Sequence, residues 1–567
     1  MLLFSFGMTA FFQKNHRLVF YGVWLLLGLI QSGLTELQDD EAYYWAYSRY
    51  PDWGYFDHPP MIAFLIKTGY AVFPNELGVR LFPLLLNILS LLIIEKLIDK
   101  KNSSLFYCIA LSIAVLQVVG FFAVPDIPLL FFTALFFWCY KKFTVAPSFL
   151  HTLLLGISVA FLLYSKYHAV LIVFFTLLSN IRLFTRYQTY LAGFIALLFF
   201  APHLWWQYQH DWVSFRFHLF ENNAHPYRLS FSAEYIGGQL LLAGPVAGIL
   251  LLPAAFLYKP KNETEKALRY TMLGIFVFFL FSSFRGKVEA NWTIPVLVPL
   301  FILSHQYLQE KATKFAIVSK KLLYKLLPAT LILVLLARII MIADIIPVEG
   351  VRSRFHAWKE WPAEMKGKTK SLPVVFSSSY QRASKYWFYT GQPTYSQNFY
   401  TGRINNYNFW PIEDSFLGKQ VYFLDIYDLW RFENSITTKV WSVGYLYDSS
   451  FISFAKIKID VSKKKITLKE GEAVTLNCRF FIPPHYARFI ESHPLLKDTV
   501  MLGVEDASGW ITRIMTPLTL QQMNTQQEAT IRIDPHLPKG KYRMRFAIKC
   551  GYRNATHNSD KLDLIVE

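Results

Sequence analysis

The chain has little charge for its length of 567 residues. Only 17% of its residues are Asp, Glu, Lys or Arg, whereas soluble proteins carry about a quarter. This shortage, together with 53% hydrophobic residues, excludes a disordered chain and a coiled coil and is not typical of a cytosolic enzyme. We therefore expect a membrane protein with a substantial water-exposed part.

Cysteine is also scarce, and the four cysteines form no CxxC or Cys/His metal pattern. Cys108 and Cys139 lie in apolar runs, where we expect inert packing residues. Cys478 and Cys550 lie in polar sequence and can pair if that region is in an oxidising compartment. The sequence also lacks a Walker loop, a GxGxxG segment after a strand and a GxSxG elbow.

Acids are fewer than bases, which gives a formal net charge of +18. The Lys and Arg residues gather in short gaps between apolar runs, as the positive-inside rule describes. No basic stretch interleaves with aromatics as a nucleic-acid groove does, so we expect no nucleic-acid partner.

Apolar runs fill the first 346 residues, and we count about eleven membrane spans. Basic gaps alternate with acidic ones, so the N-terminus is predicted in the cytoplasm and the C-terminal region outside. The spans are predicted at 18–34, 78–98, 105–124, 127–140, 149–164, 168–181, 188–206, 235–258, 270–284, 292–308 and 322–346.

Beyond residue 347 the sequence turns polar. Two strand patterns on either side of a helix pattern at 380–389 predict an α/β domain over 348–450. Short alternating strands separated by turn residues predict a β-sandwich over 451–567. The strands are predicted at 372–378, 419–426, 455–461, 473–480, 499–504, 529–533 and 542–549.

The first outer loop combines acids with aromatic residues. Asp39, Asp40 and Glu41 begin a predicted helix, for which Thr35 and Gln38 have capping-box spacing. Carboxylates at a helix start are often only solvated. Here Tyr43 and Tyr44 follow, and Asp57 and His58 precede two prolines. A carboxylate on an aromatic face suits a sugar, because rings stack on its C–H faces while the acid takes a hydroxyl proton.

These motifs resemble the first outer loop of bacterial GT-C glycosyltransferases of the family 39 type, related to protein O-mannosyltransferases and lipid A aminoarabinose transferase. The resemblance covers roughly residues 18–430, and the last 120 or so residues lie outside it. Its motifs are DDEAYYWAYS at 39–48, WGYFDHPPM at 53–61, PDIPL at 125–129, SKYH at 165–168, EANWTIP at 289–295, YQRAS at 380–384, FYTG at 388–391, GR at 402–403 and NY at 406–407.

The resemblance implies a GT-C fold of 1–347 and an inverting, metal-independent transfer from a polyprenyl-phosphate sugar at the outer face of the bacterial inner membrane, without a cofactor. It places the general base at Asp40, with Glu41 as its neighbour. Asp39 is an additional acid, so the role can belong to either aspartate.

Other candidate site residues have structural alternatives. Asp126 is either a second catalytic carboxylate or a helix N-terminal acid. The outer cations are either ligands of the donor phosphate or snorkelling side chains. Polar and aromatic residues of the outer region bind sugar and acceptor or only pack. The phosphate candidates are Arg285, Lys287, Lys166 and His58. The sugar and acceptor candidates are Tyr43, Tyr44, Asp57, Tyr380, Gln381, Arg403, Asn406 and Tyr407.

The sequence thus predicts a membrane glycosyltransferase that acts on a glycan, a lipid such as lipid A, or a protein. The alternative is a transporter or flippase of a lipid-linked glycan, although transporters place polar residues inside their spans. A membrane anchor for an outer binding domain is a third interpretation. A transfer assay with a polyprenyl-phosphate sugar separates the three.

Overall fold

The computed structural model describes residues 2–221, 227–310, 312–346, 348–429, 432–439, 441–496, 498–506, 508–509, 511–551, 553 and 555–567; the side chains of residues 2–13, 220 and 221 are not described. The chain divides into two compact units, residues 1–356 and residues 357–567. They are called the membrane unit and the C-terminal unit below.

Helices make up the membrane unit. Apolar side chains from most of them share one core. The helices are α1 Leu2–Leu34, α2 Asp39–Arg49, α3 Met61–Val72, α4 Glu76–Leu97, α5 Ser103–Ser112, α6 Ala114–Val118, α7 Asp126–Val145, α8 Phe149–Ser165, α9 Ala169–Ser179, α10 Tyr187–Gln209, α11 Val213–Arg216, α12 Leu229–Leu242, α13 Gly248–Leu257, α14 Glu263–Ser282, α15 Leu297–Glu310, α16 Lys314–Ile342 and α17 Glu349–Phe355.

The predicted spans fall on these helices, and the protein is a multi-pass membrane protein. By length and hydropathy alone, four helical segments of the described residues can cross a bilayer: Lys14–Leu34, Glu76–Leu97, Tyr187–Gln209 and Lys314–Ile342. Two predicted spans are each broken into two helices, α5 with α6 and α12 with α13. The number of crossings stays a prediction.

A capping box begins α2. Gln38 is the N-cap residue, and the Glu41 carboxylate accepts the Gln38 N–H at 3.1 Å. The predicted box at Thr35 and Gln38 is wrong by one turn, because Thr35 is instead the hydrogen-bond partner of the Gln31 side chain at 2.8 Å. The box fixes where α2 starts and so which acid occupies each position of its first turn.

The C-terminal unit begins with an α/β part. Its five-stranded sheet has the order β2-β1-β3-β5-β4, with β1 parallel to both β2 and β3. Phe376 on β1 packs against Trp361 and Tyr386 from the two long helices of this part. The elements are α18 Glu360–Lys368, β1 Val374–Ser377, α19 Tyr380–Thr390, β2 Thr394–Gln397, α20 Ile412–Phe416, β3 Val421–Asp425, β4 Asn434–Thr437 and β5 Ser442–Asp448.

Two sheets of orders β10-β9-β12-β13-β7 and β11-β8-β6 share a second core in the rest of this unit. The predicted strands coincide with β6, β8, β9, β11 and β12, and the predicted combination of a helical membrane unit with α/β and β-sheet parts is confirmed. The elements are β6 Lys458–Val461, β7 Lys465–Leu468, β8 Val474–Phe481, α21 Pro484–Ser492, β9 Thr499–Asp506, β10 Ile511–Thr519, α22 Leu520–Gln526, β11 Glu528–Ile533, β12 Gly540–Ile548 and β13 Leu562–Val566.

Cys478 and Cys550 both lie buried in the core of these two sheets, and both are free thiols. The disulfide that the sequence left open is therefore absent between these two residues.

Candidate functional site

The three consecutive acids of α2 have different surroundings. Asp40 is exposed, Asp39 is half-buried and Glu41 is fully buried. The Arg80 guanidinium donates hydrogen bonds to both carboxylate oxygens of Glu41, at 2.6 and 2.8 Å. One of these oxygens also accepts the Ala123 N–H at 2.9 Å. Glu41 is thus occupied by structural contacts, and Asp40 is the exposed acid of the three.

Arg80 is a site residue that the sequence analysis missed. Its guanidinium also donates to the backbone carbonyls of Ser32, Thr35 and Glu36, at 2.6 to 3.0 Å. Arg80 lies on α4 and therefore links this helix to the end of α1 and to the start of α2. An arginine inside the predicted apolar run 78–98 was the available signal, because a charge at such a position requires a partner.

A second cluster surrounds Asp57, which is buried. The hydroxyls of Tyr43 and Tyr47 each donate to the same Asp57 oxygen at 3.2 Å. Tyr44 lies edge-on to the His58 ring with centroids 5.5 Å apart. The aromatic face of α2 therefore exists, and its hydrogen-bonded carboxylate is that of Asp57.

A third cluster joins two residues to which the sequence gave separate roles. The Lys166 ammonium lies 2.7 Å from a carboxylate oxygen of Asp126, and both side chains are buried. The other Asp126 oxygen accepts the Asn291 side-chain amide at 3.1 Å. Because Asp126 neutralises Lys166, the pair presents little net charge to a donor phosphate.

Contacts along the chain connect the three clusters. Ala123, which bonds Glu41, lies three residues before Asp126. A ring nitrogen of His218 lies 2.9 Å from the Asp57 carbonyl oxygen, and the same ring lies 5.3 Å from Tyr167. Tyr167 is adjacent to Lys166 in sequence. The acids of the first loop and the Asp126–Lys166 pair therefore belong to one region of the membrane unit.

Arg285 and Lys287 follow the end of α14, and both are exposed. Lys287 lies 3.1 Å from the half-exposed carboxylate of Glu289. The Arg285 side chain makes no ion pair within the described part of the chain, which leaves it accessible to an anion.

The remaining predicted site residues lie in the C-terminal unit. The Arg403 guanidinium lies 5.6 Å from the centre of the Tyr380 ring, and Gln381 is partly exposed beside Tyr380. Tyr407 and Asn406 are buried, and the Tyr407 hydroxyl lies 2.9 Å from that of Ser384. Tyr380, Gln381 and Arg403 can therefore reach a ligand, whereas Tyr407 and Asn406 support the packing beneath them.

No cluster of three or more His, Cys, Asp or Glu side chains arranged to hold a metal occurs in the described residues. The acids of the site are held instead by cations, amides and hydroxyls, at Glu41, Asp126 and Asp57.

An apolar groove of about 360 Å³ runs between α12, α13 and α14. Its walls are Leu, Ile, Phe and Val side chains, and Gln239 is one of its few polar members. The Gln239 side-chain oxygen accepts a hydrogen bond from the Thr293 hydroxyl at 2.6 Å. Thr293 lies two residues after Asn291, whose side-chain amide donates to Asp126. A wall residue of the groove is therefore bonded to the segment 291–293, which also holds Asp126.

Comparisons with known proteins give one family model that matches part of the membrane unit and one curated relative. Residues 57–206 match the family model of dolichyl-phosphate-mannose-protein mannosyltransferases. The lipid A galacturonosyltransferase RgtD of Rhizobium johnstonii is 24% identical over 287 residues, which cover 48% of this chain and 60% of that protein. The aligned part thus spans less than two thirds of the relative.

Two solved structures are similar to this chain. ArnT from Cupriavidus metallidurans, bound to undecaprenyl phosphate, superposes with a TM-score of 0.55 and 14% identity, over 76% of this chain and 98% of that one. The Archaeoglobus fulgidus oligosaccharyltransferase gives a TM-score of 0.40 and 9% identity, over 97% of this chain and 100% of that one. The first of these similarities shows that the fold is that of ArnT.

Proposed function

We propose that this chain, a GT-C membrane protein of the family 39 type, transfers a sugar from a polyprenyl-phosphate donor to an acceptor hydroxyl. The similarity to a lipid A galacturonosyltransferase and to ArnT supports a lipid-linked donor and a lipid acceptor. We place the reaction at the outer face of the bacterial inner membrane, with the C-terminal unit outside. The proposed domains are 1–347 for catalysis, 348–450 for an α/β domain and 451–567 for a β-sandwich.

The observation that carries the proposal is the exposure of Asp40 beside two acids that are less accessible. Asp40 takes the proton of the acceptor hydroxyl while that oxygen attacks the anomeric carbon of the donor sugar. The bond from the anomeric carbon to the phosphate oxygen breaks, and the lipid phosphate leaves with its electron pair. A single displacement of this kind inverts the configuration of the sugar.

The donor phosphate needs positive charge, because no metal is proposed. Arg285 is the main candidate, since its side chain is exposed and unpaired within the described residues. Lys287, which pairs with Glu289, and Lys166, which pairs with Asp126, contribute less. The groove between α12, α13 and α14 is suited to the apolar tail of the lipid.

The sugar and the acceptor are proposed to bind above the aromatic side chains of α2. The Tyr43 hydroxyl donates to Asp57, and Tyr44 packs edge-on to His58; we propose that these four residues line the sugar site of which Asp40 is the base. Arg403, which is exposed, and Tyr380 and Gln381, which are partly exposed, are proposed contacts for the acceptor.

The proposal is tested with full-length protein in nanodiscs, an undecaprenyl-phosphate sugar and a panel of lipid, glycan and peptide hydroxyl acceptors. Loss of a general base lowers a rate by about 10²–10⁴-fold, so Asp40→Asn should reduce kcat by that factor while the melting temperature stays unchanged. Asp39→Asn is the matched control, and we expect it to keep kcat within about tenfold of the wild type.

If Asp40→Asn retains the wild-type kcat, the assignment of the base is wrong. If the wild type transfers no sugar to any acceptor but moves the labelled lipid across the bilayer, the flippase interpretation replaces the proposal.

A further inference from the structure

A groove of about 670 Å³ lies at one end of the three-stranded sheet β11-β8-β6 in the C-terminal unit. It lies in the last 120 residues, outside the resemblance to glycosyltransferases. The side chains that matter here are Phe481, Arg479, Gln526, Gln527, Glu528 and Lys456. The volume falls within the range of about 300–1,000 Å³ that is usual for small-molecule sites.

Phe481 places an exposed aromatic ring in this groove, which polar and apolar residues line together. The strand β8 alternates between buried and exposed positions, and Phe481 occupies the last exposed one. Its side chain is 51% exposed, and no aromatic ring packs on it within the described chain. On the same exposed face, Arg479 and Asn477 are polar, as expected for the solvent side of a sheet. Phe481 therefore offers a flat apolar surface to a ligand.

Two amides stand beside this ring. Gln526 and Gln527 are exposed, and their side chains make no hydrogen bond to described residues. Gln527 ends α22 in the left-handed region with φ of 53°, and its carbonyl accepts the Phe480 N–H at 2.7 Å. The backbone that carries these amides is thus fixed to β8. Each amide offers both a donor and an acceptor.

The charges of the groove are balanced. Arg479 lies 2.7 Å from Glu528, and Lys456 lies 2.7 Å from Asp414. Each cation therefore has its own carboxylate, so the groove favours neither a phosphate nor a metal ion. The charged groups still provide donors and acceptors around the rim.

We propose that this groove binds the neutral part of an oligosaccharide. A hexose ring has an apolar C–H face, which matches Phe481, and a rim of hydroxyls, which match the two glutamine amides and the Arg479–Glu528 pair. Binding of a glycan in this groove would not require the sugar-transfer reaction. Under the proposed function, that glycan belongs to the acceptor or to its surroundings at the membrane surface.

The test measures binding of maltohexaose, mannohexaose and chitohexaose to full-length protein by titration calorimetry, without any donor lipid. The protein is held in nanodiscs, because maltoside detergents carry the sugar of one probe. We expect at least one probe to bind, Phe481→Ala to weaken it by about tenfold, and Gln526→Ala to weaken it less. Phe481→Trp should keep the affinity, since it keeps the flat ring.

Met515→Ala is the matched control, because Met515 is 53% exposed on β10, a strand of the other sheet. This variant should bind the oligosaccharide with the wild-type affinity. If none of the three probes binds, or if binding survives Phe481→Ala unchanged, the proposal is overturned. Asp40→Asn should bind the oligosaccharide with the wild-type affinity. Loss of the catalytic role would therefore appear in kcat, and loss of this site would appear in the binding measurement.

Discussion

At the scale of single residues, three adjacent acids of the same charge acquire different roles through packing. Glu41 has no exposed surface and pairs with Arg80, which also has none. A buried ion pair is strongly destabilising once one partner is removed, because the other charge is then left buried without compensation. The neighbour Asp40 is exposed to solvent, and under the proposed function it takes the proton of the acceptor hydroxyl.

We expect Glu41→Gln to lower the free energy of unfolding by about 3–5 kcal/mol, because it leaves the Arg80 charge buried without a counter-ion. Thermal unfolding in nanodiscs measures the effect. Glu310→Gln is the control, since Glu310 pairs with Lys261 at the surface and an exposed pair contributes less than about 1 kcal/mol. Equal shifts in the two variants would contradict a structural role for the Glu41–Arg80 pair.

At the scale of elements, α3 and α4 approach each other closely through two glycines. A Cβ at Gly78 would overlap the carbonyl oxygen of Phe73 and lie 2.7 Å from that of Gly69. These atoms are backbone and cannot move aside as a side chain can. One side of α3, which includes Ile62 and Ile66, is buried.

We expect Gly78→Ala to destabilise the protein by about 1–3 kcal/mol, the usual cost of forcing extra atoms into a packed contact. Gly193→Ala is the opposite case, because nothing lies within 4 Å of a Cβ at Gly193 in α10. Alanine there should stabilise the helix by about 0.5–1 kcal/mol. Melting curves of the two variants should therefore shift in opposite directions, and a common direction would refute the close α3–α4 contact.

At the scale of the whole molecule, the proposed orientation places the C-terminal unit outside the cell membrane. All four native cysteines are buried and free. In the C-terminal unit, burial raises the pKa of the Cys478 thiol to about 12, so the thiol stays protonated and unreactive. An engineered surface cysteine can therefore report sidedness with little background.

We expect Lys463→Cys to react with a membrane-impermeant maleimide in spheroplasts, because Lys463 is exposed in the C-terminal unit. Lys259→Cys, which follows α13 in a gap predicted to be cytoplasmic, should react only after the membrane is permeabilised. The extent of labelling on gels gives the result. The reverse pattern would place Asp40 on the cytoplasmic side of the membrane and overturn the proposed reaction site.

The sequence by itself determined the apolar helices, most strands of the two-sheet part and the motif that begins α2. Those features are local: hydrophobic periodicity and turn residues act over a few positions. It left β2, β4, β5, β7, β10 and β13 unassigned, because strand propensity depends on the neighbouring strands against which a segment packs.

Only the tertiary structure decided which acids are accessible. Glu41 meets Arg80 across 39 positions, Lys166 meets Asp126 across 40, and Asn291 joins them from 165 positions away. No local pattern encodes these distances, since they depend on how the helices pack. In an apolar environment each buried charge must find a counter-charge, and that requirement leaves Asp40 as the exposed carboxylate of its motif.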